Sequence, residues 1–262
     1  MRRYGRLLVV QLRAAILLTL QYRLDFFIQV LLAGLWTATA LMPLYVLFSV
    51  RNGVGGWTAY EMLVVVGFFT MQKGVLATVV QPSMMQAVEH IRKGTLDFVL
   101  LKPCDAQFML STSKLELAHL TDVFAGVAIV IWALSRSGAP LTPVTLGLGA
   151  VFFACGLVIL YALWILVVSL AFRVVKIDNM SHLFASLLDA ARWPASVFRG
   201  ALSFLFTFVI PLALMTTYPA LATLGRAKPQ HFASAVGVAA ALLLLSRYVW
   251  QRSVRRYTGA SS

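Results

Sequence analysis

Acidic side chains are scarce in this chain, nine against 22 lysines and arginines, and charged residues of both signs fill only 12% of its 262 positions. An ordinary soluble domain carries roughly twice that share, so the composition excludes one. Cysteine is nearly absent: Cys104 and Cys155 stand alone in separate segments, which favours neither a disulfide nor a thiolate metal site. The dipeptide Gly-Lys occurs nowhere, so no Walker A loop is available to cradle phosphates. There is no His-Glu-x-x-His, no Cys-x-x-Cys and no nucleophile elbow, and His90, His119, His182 and His231 are scattered over four segments. No catalytic residue, metal set or cofactor is therefore assigned to the chain itself. The net charge of +13 has no folded basic segment interleaved with stacking aromatics, so it reads as membrane-surface charge and not as a nucleic-acid interface.

What the chain has in abundance is uncharged apolar sequence. Apolar residues make up 60% and the mean hydropathy is +0.85. Residues 26–50, 137–172, 200–225 and 229–246 carry no charge, and a bilayer core needs about 20 apolar residues per helix. Two further stretches are less clean: 58–80 contains Lys73, and 115–135 begins with Glu116, His119 and Asp122. Both fit if those charges lie at the cytoplasmic end, where a long side chain snorkels to water. Lys114, Glu116, His119 and Asp122 are read as a solvated or interfacial helix face in preference to a proton relay. Trp36, Tyr45, Trp57, Tyr60, Trp132, Trp164 and Trp250 read as span or interface residues, with no pocket assigned.

The pattern predicts an all-α integral membrane protein, a single transmembrane domain over 1–262. Its six spans are near 26–50, 58–80, 113–135, 144–172, 181–198 and 232–250. With both termini inside, only Arg51, Arg136, Arg192, Arg199, Arg226 and Lys228 of the 22 basic residues fall outside, which is the positive-inside bias. Residues 1–23 alternate Arg2, Arg3, Arg6 and Arg13 with Leu7, Leu8, Val10, Leu12 and Ile16, the pattern of an amphipathic interfacial helix.

Residues 181–220 have two readings. In the first, 181–198 crosses outward, with Asp189 and Arg192 paired at i, i+3, and 199–220 is a re-entrant hairpin folded at Pro211. In the second, 181–199 lies on the inner surface and 200–218 crosses.

One charged segment interrupts the apolar runs: PSMMQAVEHIRKGTLDFVLLKP at 82–103. Met84, Met85, Val88 and Ile91 fall at helical spacing, with Gln86, Glu89, His90 and Lys93 on the other side. Pro82 stands where such a helix starts, Gly94 stands where its C-terminal glycine belongs, and Pro103 closes the segment. A short amphipathic helix between the second and third spans has the shape of a docking element.

Two blocks carry a family resemblance. Ile91-Arg92-Lys93-Gly94-Thr95-Leu96-Asp97 with Leu100-Leu101-Lys102-Pro103 resembles the I-R-x-G-T-L-x-x-x-L-L-x-P pattern of ABC-2-type transporter permeases. Arg192-Trp193-Pro194, Thr207 to Ala213 and Thr217-Tyr218-Pro219-Ala220 resemble the same branch's R-Y-P, T-F-V-I-P and Y-P-A block. The departures are Trp193 for tyrosine and Cys104 where valine is commoner.

The resemblance implies the permease subunit of a bacterial ATP-binding cassette exporter in the cytoplasmic (inner) membrane. Such a subunit forms the path as a dimer with itself or a related permease. It is non-catalytic and is driven by separate ABC ATPase subunits that hold ATP and magnesium. The implied ATPase-docking residues are Gln86, Glu89, His90, Arg92, Lys93, Gly94 and Asp97. Asp189, Arg192, Pro194, Pro211 and Pro219 are structural, in and around the re-entrant element. The alternative is a self-sufficient secondary transporter, a class that carries internal repeats not visible in this chain.

Overall fold

The computed structural model describes residues 2–50, 53–172, 189–194 and 211–257. Helix α1 (Arg2–Gln21) runs into α2 (Arg23–Val50) with little break, since Tyr22 N–H donates to Leu18 O and Phe26 N–H to Tyr22 O. α3 (Ala59–Val75), a π-helical turn (Leu76–Val80) and α4 (Gln81–Arg92) follow as one 34-residue helix. Two short helices, α5 (Asp97–Leu100) and α6 (Ala106–Ser111), lead to α7 (Leu120–Ser137) and α8 (Pro143–Leu170). After a second π-helical turn (Ala213–Thr217) come α9 (Tyr218–Thr223) and α10 (Pro229–Arg255).

Among the described residues, five helical stretches are long and apolar enough to cross a membrane: Arg23–Val50, Ala59–Arg92, Leu117–Ser137, Pro143–Leu170 and Pro229–Arg255. The 28 residues of α2 reach about 42 Å, beyond a hydrocarbon core of about 30 Å. Each of the five coincides with an expected span to within a few residues, except that the second extends far past 80. Most of the sixth expected span, 181–198, and residues 199–210 of the re-entrant element lie outside the described residues.

The extension through Pro82 has a local cause. Proline carries no N–H, so it leaves the carbonyl of Thr78, four residues back, without its usual helical donor. Here Glu116 N–H donates to Thr78 O at 2.9 Å, and the π turn widens the helix around the same point. The expected helix start at Pro82 is thus absorbed into a continuous rod. The arrangement recurs at Pro219: the Ala213–Thr217 π turn precedes it, and Met215 O accepts from buried Gln72 Nε2 at 2.6 Å.

α3 and α7 form the closest seam. Gly67 and Gly74 sit two turns apart on α3; Gly126 of α7 faces Gly67, and Val123 of α7 faces Gly74. A Cβ on Gly126 would lie 2.6 Å from Met71 N and 2.7 Å from Gly67 O. Backbone-to-backbone approach through small residues is how helices associate where the surrounding solvent is itself apolar. A second core surrounds α8, where Ile159, Trp164, Ile165 and Val168 are fully buried with Met84 and Met215. α2, by contrast, exposes Leu31, Trp36 and Tyr45 at 67%, 69% and 79%, a surface suited to lipid or a partner.

Candidate functional site

The amphipathic face expected of residues 84–93 is present at the end of the long helix. Met84, Ala87, Val88 and Ile91 are buried in the core around α8, and Met85 is half-buried. On the other face Glu89, Arg92 and Lys93 are exposed, with Lys93 Nζ 2.6 Å from the Glu89 carboxylate one turn back. Gly94 has φ +68°, a left-handed conformation that a Cβ would oppose. It turns the chain so that Thr95 N–H donates to His90 O at 3.0 Å.

Two residues of the expected docking set are engaged inside the protein. His90 Nδ1 and Thr95 Oγ1 share a 2.8 Å hydrogen bond that holds the turn. Gln86 Oε1 accepts from Ser113 Oγ at 2.9 Å, tying α4 to the segment before α7. Asp97 opens α5 and is half-buried. Beside it Phe98 and Leu101 are 70% and 80% exposed, an apolar pair one turn apart that sequence reasoning did not single out. Their i, i+3 spacing within the charged segment is the available signal.

Beyond Pro103 an ionic clamp fixes the same end of the molecule to the last helix. Asp105 caps α6 by accepting Phe108 N–H at 2.9 Å. Arg247 of α10 donates through Nη2 to Asp105 Oδ2 at 2.5 Å and through Nη1 to Oδ1 at 3.2 Å, and Nη1 also reaches Gln107 Oε1 at 2.7 Å. Tyr161 Oη on α8 accepts from Gln107 Nε2 at 3.0 Å and shares a 2.9 Å bond with Ser111 Oγ. Tyr4 of α1 completes the cluster, its ring edge-on to Phe108 at 4.8 Å. The Arg247 guanidinium holds the Asp105 carboxyl below the usual carboxylate range. The bidentate, charge-assisted pair joins α6 to α10, and Tyr161 and Tyr4 bring α8 and α1 to the same point.

Between α4 and the segment before α7 lies an open groove of about 860 Å³, lined by Lys73, Gln86, Glu89, Arg92, Lys93 and Lys114 among others. Lys114 and Glu116 pair at 2.8 Å, partly exposed, while Asp122 is buried beside His119 at 3.5 Å.

The second set of expected residues lies elsewhere on the chain. Arg192 pairs with Asp189, Nη2 to Oδ1 3.7 Å and Nε to the Asp189 carbonyl 2.9 Å, and its guanidinium stands 6.0 Å from the Phe69 ring centre. Pro194 and Pro211 are buried. Thr216 Oγ1 donates to Ala191 O at 2.7 Å, which joins the 189–194 segment to the π turn before Pro219. At the opposite end of the long helix from the charged face of α4, Glu61 caps α3 with Thr58 and pairs with Arg226 at 2.5 Å. The sequence reading gives Glu61 no role, although the Thr58-x-x-Glu61 spacing of a capping box marks it.

No curated protein and no solved structure matches the chain. The comparison with known families matches residues 35–261 to "ABC-2 family transporter protein", a match over most of the length. With five helices long enough to cross a membrane, and transport as the family's business, the chain belongs to the ABC-2 transporter family of multi-pass membrane proteins.

Proposed function

We propose that the chain is the non-catalytic permease subunit of an ATP-binding cassette exporter. It forms the translocation path as a dimer with itself or a related permease, and separate ATPase subunits supply the energy. The orientation follows from the basic residues: both termini on the cytoplasmic side, six spans, and a re-entrant element over 199–220 on the outer side.

One observation carries the reading. The second membrane-crossing helix continues without interruption from Ala59 to Arg92 and ends in an exposed charged face. A stiff rod of this kind carries a displacement at Glu89, Arg92 and Lys93 directly into the α3–α7 seam. The ATPase docks on that face, and the exposed side chains of Phe98 and Leu101 add an apolar contact beside it. The clamp of Asp105 and Arg247 passes the same movement to α10. The exposed apolar face of α2 supplies the surface for the second permease.

Co-expression with an ATPase subunit encoded beside this chain tests the proposal. The two subunits are expected to co-purify, and vanadate-sensitive ATP hydrolysis should rise when the permease is present in proteoliposomes. Transport by the reconstituted chain alone, driven by an ion gradient, would place it among secondary transporters instead.

A further inference from the structure

Lys73 and Asp122 occupy one cavity without pairing. Lys73 lies at the fifteenth position of the 34-residue helix and is exposed, and among the described residues its ammonium has no ion pair or hydrogen bond. Asp122, on α7, is 6% exposed, and its ion-pair partner is His119 Nδ1 at 3.5 Å, longer than the ~3 Å of a good hydrogen bond. Both line a cavity of about 310 Å³ that also contains Glu116. The nearby carboxylate of Glu116 is already met by Lys114 at 2.8 Å. Lys73 is exposed at the mouth of the cavity and Asp122 is buried in its wall, where His119 meets it only at 3.5 Å, so each keeps capacity for a further partner of opposite sign. A cavity that keeps them apart is complementary to a ligand carrying both signs.

The remaining wall is of a different kind. Leu32, Ala33 and Trp36 of α2 close the cavity, and Leu32 and Trp36 are themselves 46% and 69% exposed on the apolar outer surface. Charge at one end and an exposed apolar wall at the other is the division found in a phospholipid. The same Lys73, Glu116 and His119 also line the larger groove that runs to the docking face of α4.

We propose that this cavity binds the headgroup of a zwitterionic aminophospholipid. Its phosphate sits on Lys73, its primary ammonium on Asp122, and its acyl chains lie along Leu32 and Trp36. A purely anionic headgroup meets Lys73 but is repelled by Asp122. A quaternary ammonium has no N–H to donate to the carboxylate. The site goes beyond the proposed permease role and does not depend on an ATPase partner.

Native mass spectrometry of the full-length wild-type chain from nanodiscs tests it. The discs contain equal amounts of phosphatidylethanolamine, phosphatidylglycerol and phosphatidylcholine. The ethanolamine lipid should be retained at least several-fold over the other two. Lys73→Met and Asp122→Asn should each abolish that preference, while Lys73→Arg and the control Arg136→Gln keep it. Soluble glycerophosphoethanolamine should compete at least tenfold more weakly than the lipid. Equal retention of the three lipids by wild type would overturn the proposal. So would undiminished preference in Lys73→Met, or equal competition by the soluble headgroup. The wild-type comparison decides even if a variant fails to insert.

Discussion

Gly126→Ala perturbs the seam on which the rod from Ala59 to Arg92 rests. The new Cβ would lie 2.6 Å from Met71 N, 2.6 Å from Met71 Cγ and 2.7 Å from Gly67 O. Ordinary contact begins near 3.4 Å, and two of the three atoms belong to backbone that cannot rotate away, so α3 and α7 must part by something near 1 Å. A gap of that size forfeits roughly a quarter to a half of each dispersion contact along the interface. Overpacking of this kind costs about 1–3 kcal/mol. Alanine regains up to ~1 kcal/mol in helix propensity, so the net loss should be about 1–2 kcal/mol, with Gly126→Val worse. Gly147→Ala on α8 and Gly237→Ala on α10 are internal controls, because no atom lies within 4 Å of a Cβ at either place. Thermal unfolding in detergent should rank the controls at or above wild type, then Gly126→Ala, then Gly126→Val. If Gly126→Ala unfolds at the temperature of Gly147→Ala, the close seam is wrong.

Three further outcomes are expected. Gln72→Leu leaves Met215 O buried without its 2.6 Å donor and should cost about 1–3 kcal/mol in thermal unfolding; Gly156→Ala, whose Cβ would meet Gln72 Nε2 at 2.3 Å, should do likewise, and full stability of both would refute the proline-relief account. Asp105 titrates below its ordinary value near 4 because of Arg247, so its stabilising contribution is complete above that value and is lost as pH falls through the lower folded-state value. Melting curves between pH 6 and 3 should therefore decline less for Asp105→Asn than for wild type, and parallel declines would count against the clamp. Single cysteines at positions 54 and 138 should label from outside and those at 95 and 258 from inside; external labelling at 258 would reverse the topology.

Five of the expected spans were readable because lipid demands long uncharged runs, and 26–50 and 144–172 need only their own composition to be recognised. The charged face of α4 was readable for the same local reason, since Met84, Val88 and Ile91 keep helical spacing, and the turn at Gly94 follows from glycine's tolerance of positive φ. What sequence reasoning missed depends on partners far along the chain. Pro82 reads as a break because the donor that satisfies Thr78 O, Glu116 N–H, belongs to another segment. Asp105 reads as an ordinary loop acid until Arg247 arrives from the last helix. Gln72 looks like a stray polar residue within an apolar run until Met215 O, freed by Pro219, comes within reach. The cavity between Lys73 and Asp122 likewise needs α3 and α7 side by side before the two opposite charges are seen to share one space.

The central claim is that the exposed face of α4 is where a separate ATPase grips this permease. Exchanging its charges by Glu89→Lys, Arg92→Glu and Lys93→Glu together keeps an i, i+4 pair on the helix surface while inverting the face, so the fold is spared. The permease should insert at the wild-type level and melt at the wild-type temperature, yet fail to co-purify with its ATPase and fail to stimulate ATP hydrolysis. A triple variant that assembles with the ATPase and transports at the normal rate would contradict the account.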